Sequence, residues 1–159
     1  MAASTPPAAL PSFPSSAADK PAIVIDTQVV MDWLVFRDSR IQALITAVTS
    51  GTLRWLVAPP MRDEIRHVLG RGVAASYAPD LVFIEAQFDA HAQPVETIEP
   101  QPLASRLVCR DPDDQKFIDL ALSSRARWLI SRDKAVLALA KRARPRGLLI
   151  VTPERWSLE

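Results

Sequence analysis

Cysteine, histidine and glycine are scarce in this sequence, and their scarcity excludes several classes of protein. The single cysteine, Cys109, cannot build an internal disulfide framework and is typical of a reducing compartment, so we expect a cytoplasmic protein. One cysteine and two histidines leave no paired Cys or His ligands for a metal. Four glycines leave little room for a Gly-rich phosphate loop or a dinucleotide-binding fingerprint, and neither motif is present.

Long apolar runs and an excess of one charge are also absent. No uninterrupted apolar run is long enough to span a bilayer, and the N-terminus lacks the basic region and apolar core of a secretory signal. We therefore expect no membrane association and no secretion. The formal net charge is only +1, which neither indicates nor excludes a nucleic-acid partner, because local patches matter more than the total.

The composition that remains is that of a globular domain with a sizeable core. Of 159 residues, 48% are hydrophobic and 23% are charged, which suits one folded domain. The N-terminal segment is rich in alanine, proline and serine and is nearly uncharged. We predict a disordered tail over residues 1–20 and a single domain over residues 21–159.

Apolar runs alternate with helical patterns along this domain. The run Ala22–Ile25 is continuous, as in a central strand that is buried on both faces. Further strands are predicted at 53–58, 94–98, 127–131 and 148–152. Helical spacing predicts helices at 41–48, 61–69 and 79–91, and after Asp111 and Asp133. This alternation predicts an α/β fold, a three-layer sandwich with a central parallel sheet.

Four acids occupy positions from which they can meet at one edge of that sheet. Asp26 and Asp133 each follow the C-terminal end of a predicted strand. Asp114 falls in phase with the apolar residues of its helix, and Glu64 borders the apolar stripe of the helix after the second strand. Each acid has a plainer explanation, helix capping for the aspartates and surface charge for Glu64. Glu64-x-x-His67 has metal-ligand spacing, but His67 faces outward and receives no ligand role.

Convergence of these acids has a chemical consequence. Ligands of open parallel sheets bind outside the carboxyl ends of the strands, where the acids are expected. Two carboxylates about 4 Å apart repel by roughly 4 kcal/mol at an effective dielectric near 20, so a group of four requires raised pKa values or a bound cation. Oxygen-only ligation selects a hard ion, Mg²⁺ or Mn²⁺. Such an ion activates water and neutralises charge on a phosphate, which fits phosphodiester hydrolysis.

Four fragments of the sequence carry a resemblance to a known family. They are Asp26-Thr27 after a strand, Arg62-Asp-Glu-Ile-x-x-x-Leu69, Asp111-Pro-Asp-Asp-x-x-Phe-Ile-x-Leu-Ala-Leu122 and Leu129-Ile-Ser-Arg-Asp-Lys134. In this order and spacing they resemble the PIN-domain family. More narrowly, they resemble PIN proteins that are toxins of toxin–antitoxin pairs, related to VapC. The resemblance runs from about Pro21 to Trp156, nearly the whole chain without its tail.

This resemblance implies a fold and an activity. The fold is a three-layer α/β/α sandwich, and the activity is cleavage of RNA by an endoribonuclease that uses Mg²⁺ or Mn²⁺. By position, the resemblance implies that Asp26 and Asp114 bind the metal most directly and that Glu64 orients or activates water. It implies that Asp133 completes the site, and Thr27 matches the hydroxyl residue that often follows the first acid.

Two features near these acids leave questions for the structure. Gln28 stands where the family usually has asparagine, which can shift a polar contact near the metal. The third acid is ambiguous because Asp111, Asp113 and Asp114 crowd together. We rank Asp114 first on helical phase and Asp111 second, as the N-cap that holds the end of the helix.

An RNA substrate requires cationic surface near the acids. Arg132 and Lys134 flank Asp133, and we expect them to contact phosphate. Ordinary solvated charge is the favoured interpretation of the other basic residues in this region, which are Arg125, Arg127, Lys141, Arg142, Arg144 and Arg146. The resemblance also implies an antitoxin protein as a partner, and it is compatible with a homodimer.

Two alternative functions stay open at this point. A catalytically silent PIN fold that binds RNA or a partner protein is left open by Gln28. A phosphohydrolase with an aspartate nucleophile, of the haloacid-dehalogenase type, is disfavoured. That family has Asp-x-Asp after its first strand, and Gln28 occupies the position of the second aspartate.

Overall fold

Five parallel strands form the sheet on which the described part of the chain is built. The structure is a computed structural model that describes residues 20–158. The predicted disordered tail over residues 1–20 lies outside the described residues, apart from Lys20. The strands are β1 (Ala22–Ile25), β2 (Arg54–Val57), β3 (Ala92–Pro94), β4 (Trp128–Ile130) and β5 (Leu149–Val151), in the spatial order β3-β2-β1-β4-β5.

β1 is the central strand, and its composition explains its place. All of its residues are buried, as a strand covered on both faces requires. It pairs in parallel with β2 on one side and β4 on the other, so that Ile23 lies opposite both Trp55 and Trp128. Parallel pairing brings the C-terminal ends of these strands to one edge. There the backbone N–H of Asp26 donates to the carbonyl of Ile130 at 3.0 Å.

Helices connect the strands. They are α1 (Thr27–Leu34), α2 (Gln42–Thr49), α3 (Pro59–Gly70), α4 (Leu81–His91), α5 (Gln115–Ser123), α6 (Lys134–Leu137) and α7 (Ala140–Ala143). A 3-10 turn at Pro112–Asp114 leads into α5, and another at Arg144–Arg146 follows α7. Within residues 20–158, none of the helices combines the length and the apolar character needed to cross a membrane.

The helices cover the sheet from both sides. From β1 the chain moves through β2 to β3 at one edge, and then returns to β4 and β5 at the other edge. Right-handed crossovers therefore place α1 to α4 on one face and α5 to α7 on the other. The contacts agree, because α5 packs on β1 and β4, α7 packs on β5, and α1 packs on α3. The predicted α/β sandwich with a parallel sheet is confirmed.

The largest differences from the expected elements concern α1, the start of α3 and the edge strand β3. Helix α1, directly after Asp26, was missing from the expected elements, although Val29, Val30, Trp33 and Leu34 have helical spacing. Pro59 and Pro60 begin α3 instead of only ending β2, since the first helical turn does not use the N–H that proline lacks. The edge strand spans 92–94 and not 94–98, because α4 runs directly into it.

Truncation of Leu129 in β4 is expected to destabilise the fold strongly. Leu129 is 0% exposed, so Leu129→Ala leaves a cavity in the centre of the protein. The free energy of unfolding should fall by about 2–5 kcal/mol. Leu103→Ala is the matched control because Leu103 is 88% exposed, and it should change the stability by less than about 0.5 kcal/mol. Urea titrations followed by tryptophan fluorescence measure both, and equal stabilities would contradict the packing described.

Candidate active site

A pocket of about 280 Å³ opens at the edge of the sheet where β1 and β4 end. Residues of α1, α3, α5, the Pro112–Asp114 turn and the position before α6 form its wall. They are Asp26, Thr27, Gln28, Met31, Glu64, Val68, Asp114, Phe117 and Asp133. The structure thus brings the four acids singled out in the sequence to one place.

Both carboxylate oxygens of Asp26 are held by hydrogen bonds. Asp26 is the N-cap of α1, and its Oδ1 accepts the backbone N–H of Val29 at 3.1 Å. Its Oδ2 accepts the hydroxyl of Ser131, which follows β4. Burial raises the pKa of Asp26 to about 6, against the lowering effect of these hydrogen bonds and with a smaller raising effect from Asp133 and Asp32.

Ser131 links Asp26 to Asp133. The Ser131 side chain is 0% exposed, and its hydroxyl donates to Asp26 while accepting the backbone N–H of Asp133 at 2.9 Å. Asp133 in turn is the N-cap of α6, where its Oδ1 accepts the N–H of Ala135 at 2.7 Å. Backbone capping therefore fixes Asp133 at the pocket while its side chain stays exposed to solvent.

Asp111 and Asp114 form a tight acidic group with Asp133. One carboxylate oxygen from each of the three lies within 4.8 Å of the other two. Asp111 is held there as the cap of the Pro112–Asp114 turn, since its side chain accepts the N–H of Asp113 at 3.0 Å. Asp111 is therefore both a cap, as its sequence position suggests, and a candidate ligand beside Asp114.

The carboxylate of Asp114 is the least satisfied group of the site. Its Oδ2 is buried and has no hydrogen-bond partner among residues 20–158. Burial, reinforced by the charges of Asp133, Asp111 and Asp26, raises the pKa of Asp114 to about 7, and Lys116 opposes this to a smaller extent. A buried carboxylate oxygen without a donor favours the binding of a cation or a proton.

Glu64 reaches the pocket from α3 and is held on both sides. The hydroxyl of Thr27 donates to Oε1, and the ammonium of Lys116 lies 3.1 Å from Oε2. Lys116 is itself positioned, because it also donates to the carbonyl of Asp113 and lies 4.8 Å over the ring of Phe117. Glu64 thus has an internal counter-charge, in contrast to the aspartate group.

The sequence matches the family model of the PIN domain over residues 22–135. The chain belongs to the PIN-domain family. This is the family indicated by the four sequence fragments, and the matched span contains the four acids of the pocket. Proteins of this family are generally metal-dependent nucleases. No curated protein matches the sequence.

The donors of this PIN site fit a hard divalent ion. The atoms available at Asp111, Asp114 and Asp133 are carboxylate oxygens, which suit Mg²⁺ and Mn²⁺. The buried Oδ2 of Asp114, which has no hydrogen-bond donor among residues 20–158, also fits a bound cation. Cys109 is separate from this donor set as a buried free cysteine, and burial raises the pKa of its thiol.

Three groups at the PIN site have no signal in the sequence patterns. Ser131 has the position of a strand-end residue, Lys116 that of a solvated helix charge, and Asp32 that of an isolated acid in an apolar segment. The structure buries Asp32, which accepts hydrogen bonds from Gln28 at 3.2 Å and from Arg132 at 2.8 Å. The hydrogen bond of Gln28 to Asp32 has the i,i+4 spacing of a helix. The contacts of Ser131 with Asp26, Lys116 with Glu64 and Arg132 with Asp32 join distant segments, so no spacing rule reveals them.

Arg132 and Lys134, which we expect at the RNA, have different surroundings. The guanidinium of Arg132 contacts Asp32 at 2.8 Å and Glu154 at 2.5 Å, with Asp38 at 3.5 Å. Its charge is therefore already offset within the protein. Lys134 is exposed and makes no ion pair with any residue of the range 20–158. Contact with phosphate stays a prediction for both residues, and their surroundings favour Lys134.

Asp114→Asn is expected to stabilise the metal-free protein at neutral and higher pH. The native carboxyl, with a pKa of about 7, keeps its proton where the unfolded carboxyl, near 3.8, has lost it. A raised folded pKa contributes stability that is present below about pH 4 and lost as the pH rises to about 7. In Asp114→Asn the decline of stability with rising pH should be smaller, so the variant should melt at a higher temperature than the wild type near pH 8. Asp113→Asn is the matched control because Asp113 is exposed.

Thermal melts near pH 5 and near pH 8, with EDTA and with Mn²⁺, test this assignment. Mn²⁺ should raise the melting temperature of the wild type and of Asp113→Asn near pH 8, and do so less near pH 5, where protons compete for the carboxylates. Asp114→Asn should respond weakly to Mn²⁺ at either pH. An Asp113→Asn protein that behaves like Asp114→Asn would contradict the role given to the buried carboxylate.

Proposed function

We propose that this PIN domain is a metal-dependent endoribonuclease that hydrolyses RNA phosphodiester bonds with Mg²⁺ or Mn²⁺. The observation that carries the proposal is the buried, unpaired Oδ2 of Asp114 within a group of carboxylates. A purely structural polar network gives such an oxygen a donor, whereas a cation site leaves it free. Membership of the PIN family supports a nuclease, and the carboxylate oxygens of the pocket favour Mg²⁺ or Mn²⁺.

The acids of the pocket divide into two roles under this proposal. Asp26, Asp114 and Asp133 supply the oxygens that hold the ion, and Asp111 adds a further oxygen close to Asp114 and Asp133. When bound, the ion supplies charge for a phosphate and lowers the pKa of water. The hydrogen bonds to Asp26 and the caps formed by Asp111 and Asp133 hold these oxygens in place beforehand, which limits reorganisation during the reaction.

We assign to Glu64 the orientation and activation of the attacking water molecule. It was expected among the metal ligands as well, but its pairing with Lys116 favours a role at the edge of the metal site. Thr27 and Lys116 fix its two oxygens, so the carboxylate is oriented before a substrate arrives. In this position Glu64 orients the attacking water and accepts a proton from it.

A catalytically silent PIN fold that binds RNA or a protein is the second candidate. The ion pair between Lys116 and Glu64 favours it, because one of the pocket acids already has an internal counter-charge. The unpaired Asp114 favours the enzyme. Calorimetric titration separates the two: RNA binding without any heat of Mn²⁺ binding would support the silent fold.

We also propose a biological role for this nuclease, which its sequence fragments indicate. The fragments at Asp26-Thr27, 62–69, 111–122 and 129–134 resemble those of VapC-related toxins. This resemblance supports a toxin role in a toxin–antitoxin pair, with a cognate antitoxin protein as a partner and a homodimer as the assembly. The single cysteine supports a cytoplasmic location.

RNA cleavage should require both the ion and the aspartates. Purified protein with a mixed RNA substrate should cleave it with Mn²⁺ or Mg²⁺ and not with EDTA. Asp26→Asn and Asp114→Asn should each lower the rate by more than about 100-fold, which corresponds to about 3 kcal/mol of lost transition-state stabilisation. Gel electrophoresis of labelled RNA measures the rate.

The exposed neighbour provides the control for this cleavage assay. Asp113→Asn removes the same charge from the same turn, outside the pocket lining, and should keep the wild-type rate. Cleavage in EDTA, or full activity in both Asp26→Asn and Asp114→Asn, would argue for another function of the pocket.

Expression of the chain in a bacterial host tests the toxin role. The wild type should arrest growth, and Asp114→Asn should not, because the arrest depends on RNA cleavage. Co-expression of the product of an adjacent short reading frame should relieve the arrest if that product is the antitoxin. Normal growth with an actively cleaving wild-type protein would contradict the toxin role and leave the ribonuclease proposal intact.

A further inference from the structure

Basic residues are unevenly distributed in this protein, although its net charge is only +1. The segment from 125 to 146 comprises β4, α6, α7 and the turn that follows. It contains one acid, Asp133, and a long series of cations, namely Arg125, Arg127, Arg132, Lys134, Lys141, Arg142, Arg144 and Arg146. The near-neutral total therefore conceals a local excess of positive charge.

The pairing of cations differs between the two sides of the sheet. On α3, Arg62 contacts Glu85 at 2.7 Å and Asp89 at 3.0 Å, and Arg66 also pairs with Glu85. These arginines are matched by acids of the neighbouring helix α4. Their charge is thus used within the fold and is not available to a polyanion.

Cations of α6, α7 and the following turn lack such partners. Lys134, Lys141, Arg142 and Arg144 are exposed, and none of them forms an ion pair with another residue between 20 and 158. We call these four residues the cationic strip. Arg132 is not part of it, because acids already surround its guanidinium.

The cationic strip begins at the acidic pocket and continues along the outer side of α6 and α7. Asp133, which lines the pocket, directly precedes Lys134. The side of these helices that faces the sheet is taken by the buried residues Ala135, Val136, Leu139 and Ala143. The strip therefore lies on the solvent side of α6, α7 and the turn that follows them.

We propose that the cationic strip is the path of the RNA backbone as it leaves the acidic pocket. This inference rests on the proposed function, since it assigns a binding surface to the substrate of the same pocket. Carboxylates around the pocket repel phosphates, so the attraction that retains a polyanion has to come from cations outside it. Contacts with phosphate position a strand without reading its bases, so the strip sets affinity and direction and leaves base preference to other groups.

An acidic protein segment is the other polyanion that such a surface fits. It matches the charge of the strip, but it would add carboxylates beside those of Asp133 and Asp114, which already form a crowded acidic group with Asp111. RNA has the same repulsion, yet its phosphodiester is the group on which the pocket is proposed to act. The observations therefore favour RNA, and the experiment distinguishes the two.

The test compares two double variants with the same loss of charge. Lys141→Gln with Arg142→Gln removes the middle of the strip. Arg37→Gln with Arg71→Gln is the matched control, because Arg37 and Arg71 are also exposed and have no ion-pair partner within the described range. Binding of a fluorescent single-stranded RNA is measured by anisotropy over a series of salt concentrations, with EDTA present so that binding is separated from cleavage.

For the strip variant, the plot of log K for RNA binding against log salt concentration should be shallower by about 1.4 in slope. Each lost contact with a single strand removes about 0.7 from this slope. At about 0.1 M salt this corresponds to a loss of affinity of roughly 25-fold. The control variant should keep the wild-type slope. Lys141→Gln alone, with about half the change in slope, serves as the second variant if the double variant does not fold.

Equal slopes for the strip variant and the wild type, or equal losses in the strip and control variants, would overturn the proposal. Unchanged RNA binding together with lost binding of poly-glutamate would assign the surface to an acidic protein and also overturn it. The proposed ribonuclease can fail separately. A protein that never cleaves RNA but loses affinity only in the strip variant keeps the strip as an RNA-binding surface.

Discussion

Crowding of carboxylates at the end of a parallel sheet is the constraint on which this site depends. β1 and β4 are neighbours, so the residues that follow them, Asp26 and Ser131–Asp133, are adjacent in space. The turn before α5 adds Asp111 and Asp114 to the same edge. Burial, together with repulsion within this group, raises the pKa of Asp114 to about 7, and its buried Oδ2 has no donor in the described chain. The fold thus concentrates negative charge that its own residues only partly offset.

Much of the fold follows from local patterns in the sequence. The continuous apolar run Ala22–Ile25 predicts a strand buried on both faces, and the structure places it in the centre of the sheet. Asp111 and Asp133 predict helical starts, and both side chains accept backbone N–H groups as caps. Helix α1 was not predicted, although Val29, Val30, Trp33 and Leu34 have helical spacing. At eight residues it offers only about two turns of that pattern.

The acids of the site could be predicted from the sequence, whereas their hydrogen-bond and ion-pair partners could not. Strand ends and helical phase are local features, and they are sufficient to select Asp26, Glu64, Asp114 and Asp133 as residues that line one pocket. The hydrogen bond from Ser131 to Asp26 and the ion pair of Lys116 with Glu64 join segments far apart in the chain. Such contacts depend on how the layers pack, and neither composition nor spacing reports them.

The position of Ser131 determines how this site responds to substitution. One hydroxyl group donates to Asp26 and accepts from the backbone of Asp133, so two acids share a single small residue. A side chain without a hydroxyl group at this position would remove both interactions together, and it would do so at a fully buried point beside the sheet. A substitution at position 131 would therefore disturb the ends of β1 and β4 at the same time, and neither acid can be released without the other.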